Sequence, residues 1–136
     1  MKKKLCLLLI LSSFVLNIHA QKSIRIGIIG LDTSHSVAFT DLINGDKNNA
    51  FAKGFRIVAA YPYGSKTIES SAKRIPGYIK KVEQQGVEIV SSISELLDKV
   101  DCVLLETNDG RLHLEQAIEV FKSGKSAILI NRSAQH

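Results

Sequence analysis

Ser23-Ile-Arg-Ile-Gly-Ile-Ile-Gly30, followed by Leu31-Asp-Thr-Ser-His-Ser36, decides the fold. Isoleucines crowded into a short run that closes on glycine read as a strand buried on both faces, the pattern of a parallel sheet. Thr33 or Ser34 then caps a helix with Val37, Ala38, Leu42 and Ile43 inward, ending at Asn44-Gly45, where glycine accepts a left-handed C-terminal conformation. Asp46 to Gly54 is polar and reads as a loop. Phe55 to Tyr61 is a second strand, stopped by Pro62. Strand, helix, strand in that order implies a right-handed crossover.

Downstream, apolar residues recur at Ile68, Ala72 and Ile75, break at Pro76-Gly77 and resume at Ile79 and Val82, which predicts two helices. Val87 to Val90 reads as a third strand, Ser94 as the cap of a helix with Leu96, Leu97 and Val100 inward, and Asp101 to Glu106 as a fourth strand. A helix over Leu112 to Lys122 sets Leu114, Ala117, Ile118 and Phe121 on one face; Gly124 closes it, and Ser126 to Ile130 is a fifth strand. Strands alternating with helices define a doubly wound parallel α/β sheet, Rossmann-like, in a single domain over residues 21–136.

Residues 1–20 carry a different pattern. Lys2, Lys3 and Lys4, an apolar run from Leu5 to Leu16 broken by Ser12 and Ser13, and Asn17 to Ala20 follow the order of a signal peptide cleaved after Ala20. The run is about a dozen residues against the roughly 20 that span a bilayer. Cys6 lies near its start, not at its end where a lipoprotein needs its cysteine. The expected product is exported, periplasmic or secreted, with no stable membrane anchor. Loss of the signal takes the formal net charge from +5 to +2. The remaining charges interleave in sign and leave no basic face for nucleic acid. Cys102 is then the one cysteine, so no internal disulfide forms, and its apolar neighbours mark it as a core thiol. With His35, His113 and His136 scattered, no metal constellation emerges.

Ligands of such a sheet bind outside the carboxyl ends of the strands. After the first strand, Gly30, Asp32, Thr33, Ser34 and His35 form a tight turn whose amides and hydroxyls suit an anion, or equally a plain helix cap with His35 at the surface. Gly-x-Gly-x-x-Gly is one-third present: Asp32 and His35 hold the second and third places, and a carboxylate at the second repels a pyrophosphate unless turned away. After the second strand, Tyr61 to Lys66 offers no acid for ribose hydroxyls; Ser65 and Lys66 suit a 2′-phosphate, or Lys66 is simply solvated. After the fourth strand come Glu106, Thr107, Asn108, Asp109, Gly110, Arg111 and His113, a polar loop that also has ordinary turn chemistry.

Ile24 to Gly30 with Leu31 to Ser36, then Asp101 to Asn108, Leu112 to Ala117 and Phe121 to Lys125, in that order, resemble the N-terminal domain of the Gfo/Idh/MocA oxidoreductases, most closely an exported branch. The likeness covers the whole chain after the signal. It implies binding of NAD or NADP in this domain and a sugar-like substrate held by a second domain absent from this sequence; from their place at the strand ends, the residues expected to bind the cofactor are Gly30, Asp32, Thr33, Ser34, His35, Tyr61, Ser65, Lys66, Thr107, Asn108 and His113. No catalytic residue is assigned. The family carries Glu-Lys-Pro or Asp-Lys-Pro after the fifth strand, where this chain reads Ile130-Asn131-Arg132-Ser133. Leu129 to Gln135 can be encoded by codons that, one base out of phase, give Asp-Lys-Pro-Ile-Ser-Ala, so the expected origin of the tail is a frameshift that truncates the protein. Three functions follow as expectations: the dinucleotide-binding half of an exported oxidoreductase without turnover of its own; a noncatalytic domain for a sugar, a nucleotide or a partner; or a product without function that self-associates, as a homo-oligomer or otherwise, through uncovered apolar surface.

Overall fold

A computed structural model describes residues 22–46, 48–50 and 52–130; the expected signal and the tail from Asn131 lie outside the described residues. Five strands form one parallel sheet: β1 (Ile24–Ile29), β2 (Phe55–Tyr61), β3 (Glu88–Ile89), β4 (Cys102–Leu105) and β5 (Ser126–Leu129), in the order β3-β2-β1-β4-β5. The expected doubly wound sheet is present, with β1 at its centre.

Helices cover both faces. On one, α1 (Ser34–Thr40) and α3 (Ile75–Glu83) pack Val37, Phe39, Ile79 and Val82 against Ile26, Ile28, Ile57 and Leu104. On the other, α4 (Ile93–Lys99) and α5 (Gly110–Lys122) pack Leu96, Leu97, Ala117 and Val120 against Ile29, Ala59, Val103 and Leu105. A short α2 (Glu69–Ala72) precedes α3. Successive side chains of a strand point to opposite faces, so the unbroken apolar runs of β1 and β4 feed both cores at once.

Several boundaries and faces depart from the sequence reading. The first helix stops at Thr40 and continues as a π-helical turn over Asp41–Gly45; Gly45 is not among the glycines with positive φ, and Ala38 and Leu42 face solvent. Asn44 takes the buried place instead. Its side chain accepts from Ile57 N–H at 3.0 Å and donates to Ile57 C=O at 2.8 Å, beside the register shift between β1 and β2. The bulge leaves backbone groups that an amide can satisfy and a leucine cannot.

Pro76 does not interrupt its helix but sits in the first turn of α3, where its missing N–H costs nothing, and the break falls at Lys73-Arg74. Ser92, not Ser94, caps α4: its Oγ accepts from Glu95 N–H, while the Glu95 carboxylate accepts from Ser91 N–H and Oγ–H. In α5 the buried residues are His113, Gln116, Ala117 and Val120, whereas Leu114 is 72% exposed, with Ile118 and Phe121 also outside. Cys102 is half-buried against the α1 and α3 face, and burial raises its thiol pKa, as a core thiol should show. No helix among the described residues is long and apolar enough to cross a membrane.

Candidate functional site

The three loops at the carboxyl ends of β1, β2 and β4 meet at Asp32. Its carboxylate, fully buried, accepts from Ser65 N–H at 3.0 Å and Asn108 N–H at 3.1 Å. The negative charge that stood against a pyrophosphate is thus turned inward and met by two amides. Glycine makes the approach possible on both sides. A β-carbon on Gly64 would overlap the Asp32 carboxylate, and one on Gly30, whose φ is +91°, would stand 2.6 Å from Thr107 N.

The neighbouring side chains extend this clamp. Ser65 is buried; its Oγ accepts from Ile68 N–H and donates to Asp109. Asp109 caps α5 and pairs with Arg111, whose guanidinium holds its pKa down to about 2, while the same guanidinium donates to Thr67 Oγ1 at 2.7 Å. Asn108 Nδ2 donates to Ser71 Oγ at 2.8 Å. Thr107 Oγ1 donates to Gln116 Oε1, and His113 Nε2 pairs with the Thr107 carbonyl, so His113 is a buried anchor of the loop. The segment after β2 is therefore fastened across the ligand edge to both neighbouring loops.

Two clefts flank the clamp. One, of about 250 Å³, opens on the α1 side between Thr33, Ser34, His35, Ser70, Arg74 and Asn108. The other, of about 240 Å³, lies toward α4 and α5, walled by Tyr61, Tyr63, Leu112 and Gln116 and by two carboxylates, Glu115 and Glu119. Tyr61 and Tyr63 stack at 5.8 Å between centroids, with Lys66 Nζ 5.0 Å over Tyr63. Ligand sites run roughly 300–1,000 Å³, so each cleft takes one part of a dinucleotide. The donors fit: hydroxyls, a guanidinium and an amide on one side suit phosphate, and an aromatic wall on the other suits a flat base.

The structure therefore divides the expected binding residues. Thr33, Ser34, His35, Asn108 and Tyr61 line clefts; Lys66 is exposed beside Tyr63; Gly30, Asp32, Ser65, Thr107 and His113 hold the loops together from within. Thr33 sits at the N-cap of α1 without a cap hydrogen bond from its side chain. The sequence pattern does not mark Ser70 and Arg74, for which only their position after β2 is a signal, and it marks Glu106 only as the end of the fourth strand and the start of a polar loop. Glu106 is fully buried, both its oxygens lack hydrogen-bond partners, and burial pushes its pKa up to about 7. No group of side chains suited to hold a metal ion occurs among the described residues.

No protein-family model and no curated protein matches the chain. Among solved structures, it is similar to a dehydrogenase (MviM) from Clostridium difficile at 21% identity and TM-score 0.56, over 79% of this chain and 30% of that one. A UDP-N-acetylglucosamine 3-dehydrogenase, GnnA, from Acidithiobacillus ferrooxidans matches at 14% identity and TM-score 0.54, over 79% and 28%. A homoserine dehydrogenase from Thiobacillus denitrificans matches at 18% identity and TM-score 0.52, over 81% and 24%. This chain thus spans less than a third of the length of each. What it shares with them is a Rossmann-like α/β fold, over 79% of its own residues for the first two.

Proposed function

We propose that this protein carries the NAD- or NADP-binding domain of an exported oxidoreductase of the Gfo/Idh/MocA kind, acting on a sugar-like substrate, and that this domain does not turn over by itself. The observation that carries the reading is the pair of clefts at the carboxyl ends of β1, β2 and β4, one lined by hydroxyls, Arg74 and Asn108, the other by the stacked Tyr61 and Tyr63 with Glu115 and Glu119 at its edge. A bound dinucleotide supplies hydride chemistry; the residues of this chain bind and orient it. Ser34, Ser70, Arg74 and Asn108 offer donors to phosphate oxygens, and Tyr61 and Tyr63 offer a face to a base. Asp32 binds no ligand in this account. It sets the spacing of the loops that do.

Export rests on the Lys2 to Ala20 pattern, and the need for a second, substrate-holding wall on a reaction that requires cofactor and substrate enclosed together. Calorimetric titration of the purified protein with NAD, NADH, NADP and NADPH tests the reading. Saturable binding of at least one is expected; no binding of any by a folded sample overturns it. A noncatalytic sugar site is the second reading, favoured by the unpaired carboxyl of Glu106.

A further inference from the structure

Glu106 follows β4 and shares the face of Leu104, toward α1. There His35 Nδ1 stands 4.0 Å from Glu106 Oε2, beyond hydrogen-bond reach. Thr33 Oγ1, on the same cleft, is also buried without a partner. A buried carboxyl that accepts no hydrogen bond costs stability and secures no loop, unlike Asp32 or Asp109. His35 beside it lines the cleft, so what enters there can supply the partner that Glu106 lacks.

The surrounding charges select the ligand. At the depth of Glu106 an anionic group would meet the carboxylate and a cationic one would meet Arg74 on the way in, so a phosphate fits at the rim, among Ser34, Ser70, Arg74 and Asn108, and not at Glu106 itself. A neutral polyol suits both: its hydroxyls donate to Glu106 and accept from Arg74, Asn108 and Ser70. His35, with its side chain 46% exposed and lining the cleft, is the group whose rotation would open Glu106 to it.

We propose that Glu106 and Thr33 form the floor of a binding site for the vicinal hydroxyls of a sugar, with His35 as its movable cover. The ribose of a bound dinucleotide is one source of such a diol, and in that form the inference rests on the function proposed above. A free monosaccharide is the other, and needs no dinucleotide.

The test titrates ¹⁵N-labelled wild-type protein, Glu106→Gln and Thr33→Val with D-glucose and, separately, with NADH, and follows urea denaturation of each. Shifts at the amides of Thr33, His35 and Glu106 are expected with at least one probe, weakened about tenfold in Glu106→Gln and severalfold in Thr33→Val, while Glu106→Gln is at least as stable as wild type. A glucose response sensitive to Glu106 assigns the site to free sugar even where NADH fails to bind; an NADH response sensitive to Glu106 assigns it to ribose. NADH binding that ignores both substitutions, with no glucose response, overturns the site and leaves the dinucleotide reading standing. No response to either probe, or a Glu106→Gln protein less stable than wild type, overturns it as well.

Discussion

The Asp32 carboxylate accepts from the Asn108 amide at 3.1 Å, tying the exit of β1 to the exit of β4 across 76 positions of sequence. Its other oxygen does the same for Ser65 at 3.0 Å. Hydrogen bonds to a buried charge contribute about 1.5–3 kcal/mol each. Asp32→Ala should lower stability by about 3 kcal/mol, read from the urea midpoint, and loosen the loop after β2. An unchanged midpoint would mean that the clamp holds nothing.

Stability should depend on pH in two opposite ways. Burial raises the Glu106 carboxyl from its ordinary value of 4.5 to about 7. Below about 4.5 the group is protonated folded or unfolded and costs nothing; as pH rises toward 7 the unfolded chain ionises first, so stability falls, and it levels above that. The loss is on the order of 3 kcal/mol, and Glu106→Gln should remove it. Asp109, held down to about 2 by Arg111, has the reverse sign: its contribution is present above the ordinary carboxylate range and disappears as pH falls toward 2. Urea midpoints across this range check both limbs.

The face that α5 buries is open to a simple comparison. Val120 is fully buried and Leu114 is 72% exposed. Val120→Ala should cost about 2 kcal/mol, and Leu114→Ala about 0.5 kcal/mol or less, in equilibrium unfolding. The reversed order would restore the sequence-based orientation of the helix.

Gly30 has φ of +91° and no room for a side chain before the Thr107 backbone. Gly30→Ala should destabilise by about 2 kcal/mol or more and abolish dinucleotide binding together. Retained binding at wild-type stability would detach the turn from the site.

Much of the architecture was legible because β1, β2 and β4 bury both faces, so their composition alone marks them. The orientation of α5 was not. Leu114, Ile118 and Phe121 outweigh His113 and Gln116 in any hydrophobic pattern, yet the two polar residues turn inward because Thr107 bonds both. Asn44 displaced Leu42 for a similar reason, the backbone of Ile57 at the bulge being a better partner for an amide than for an alkyl chain. At the site, Asp32 was visible as an obstacle to phosphate, but its two amide partners are far off in sequence. Glu106 read as the polar end of a strand, since nothing local signals a carboxyl buried without a partner.

The most direct test of the central claim is an amide chemical-shift map of ¹⁵N-labelled protein with NADH or NADPH. The account predicts saturable shifts concentrated at Gly30, Thr33, Ser34, His35, Asn108 and Tyr61. Shifts confined to the outer face of α5 around Leu114 and Ile118, or none at all in a folded sample, would contradict it.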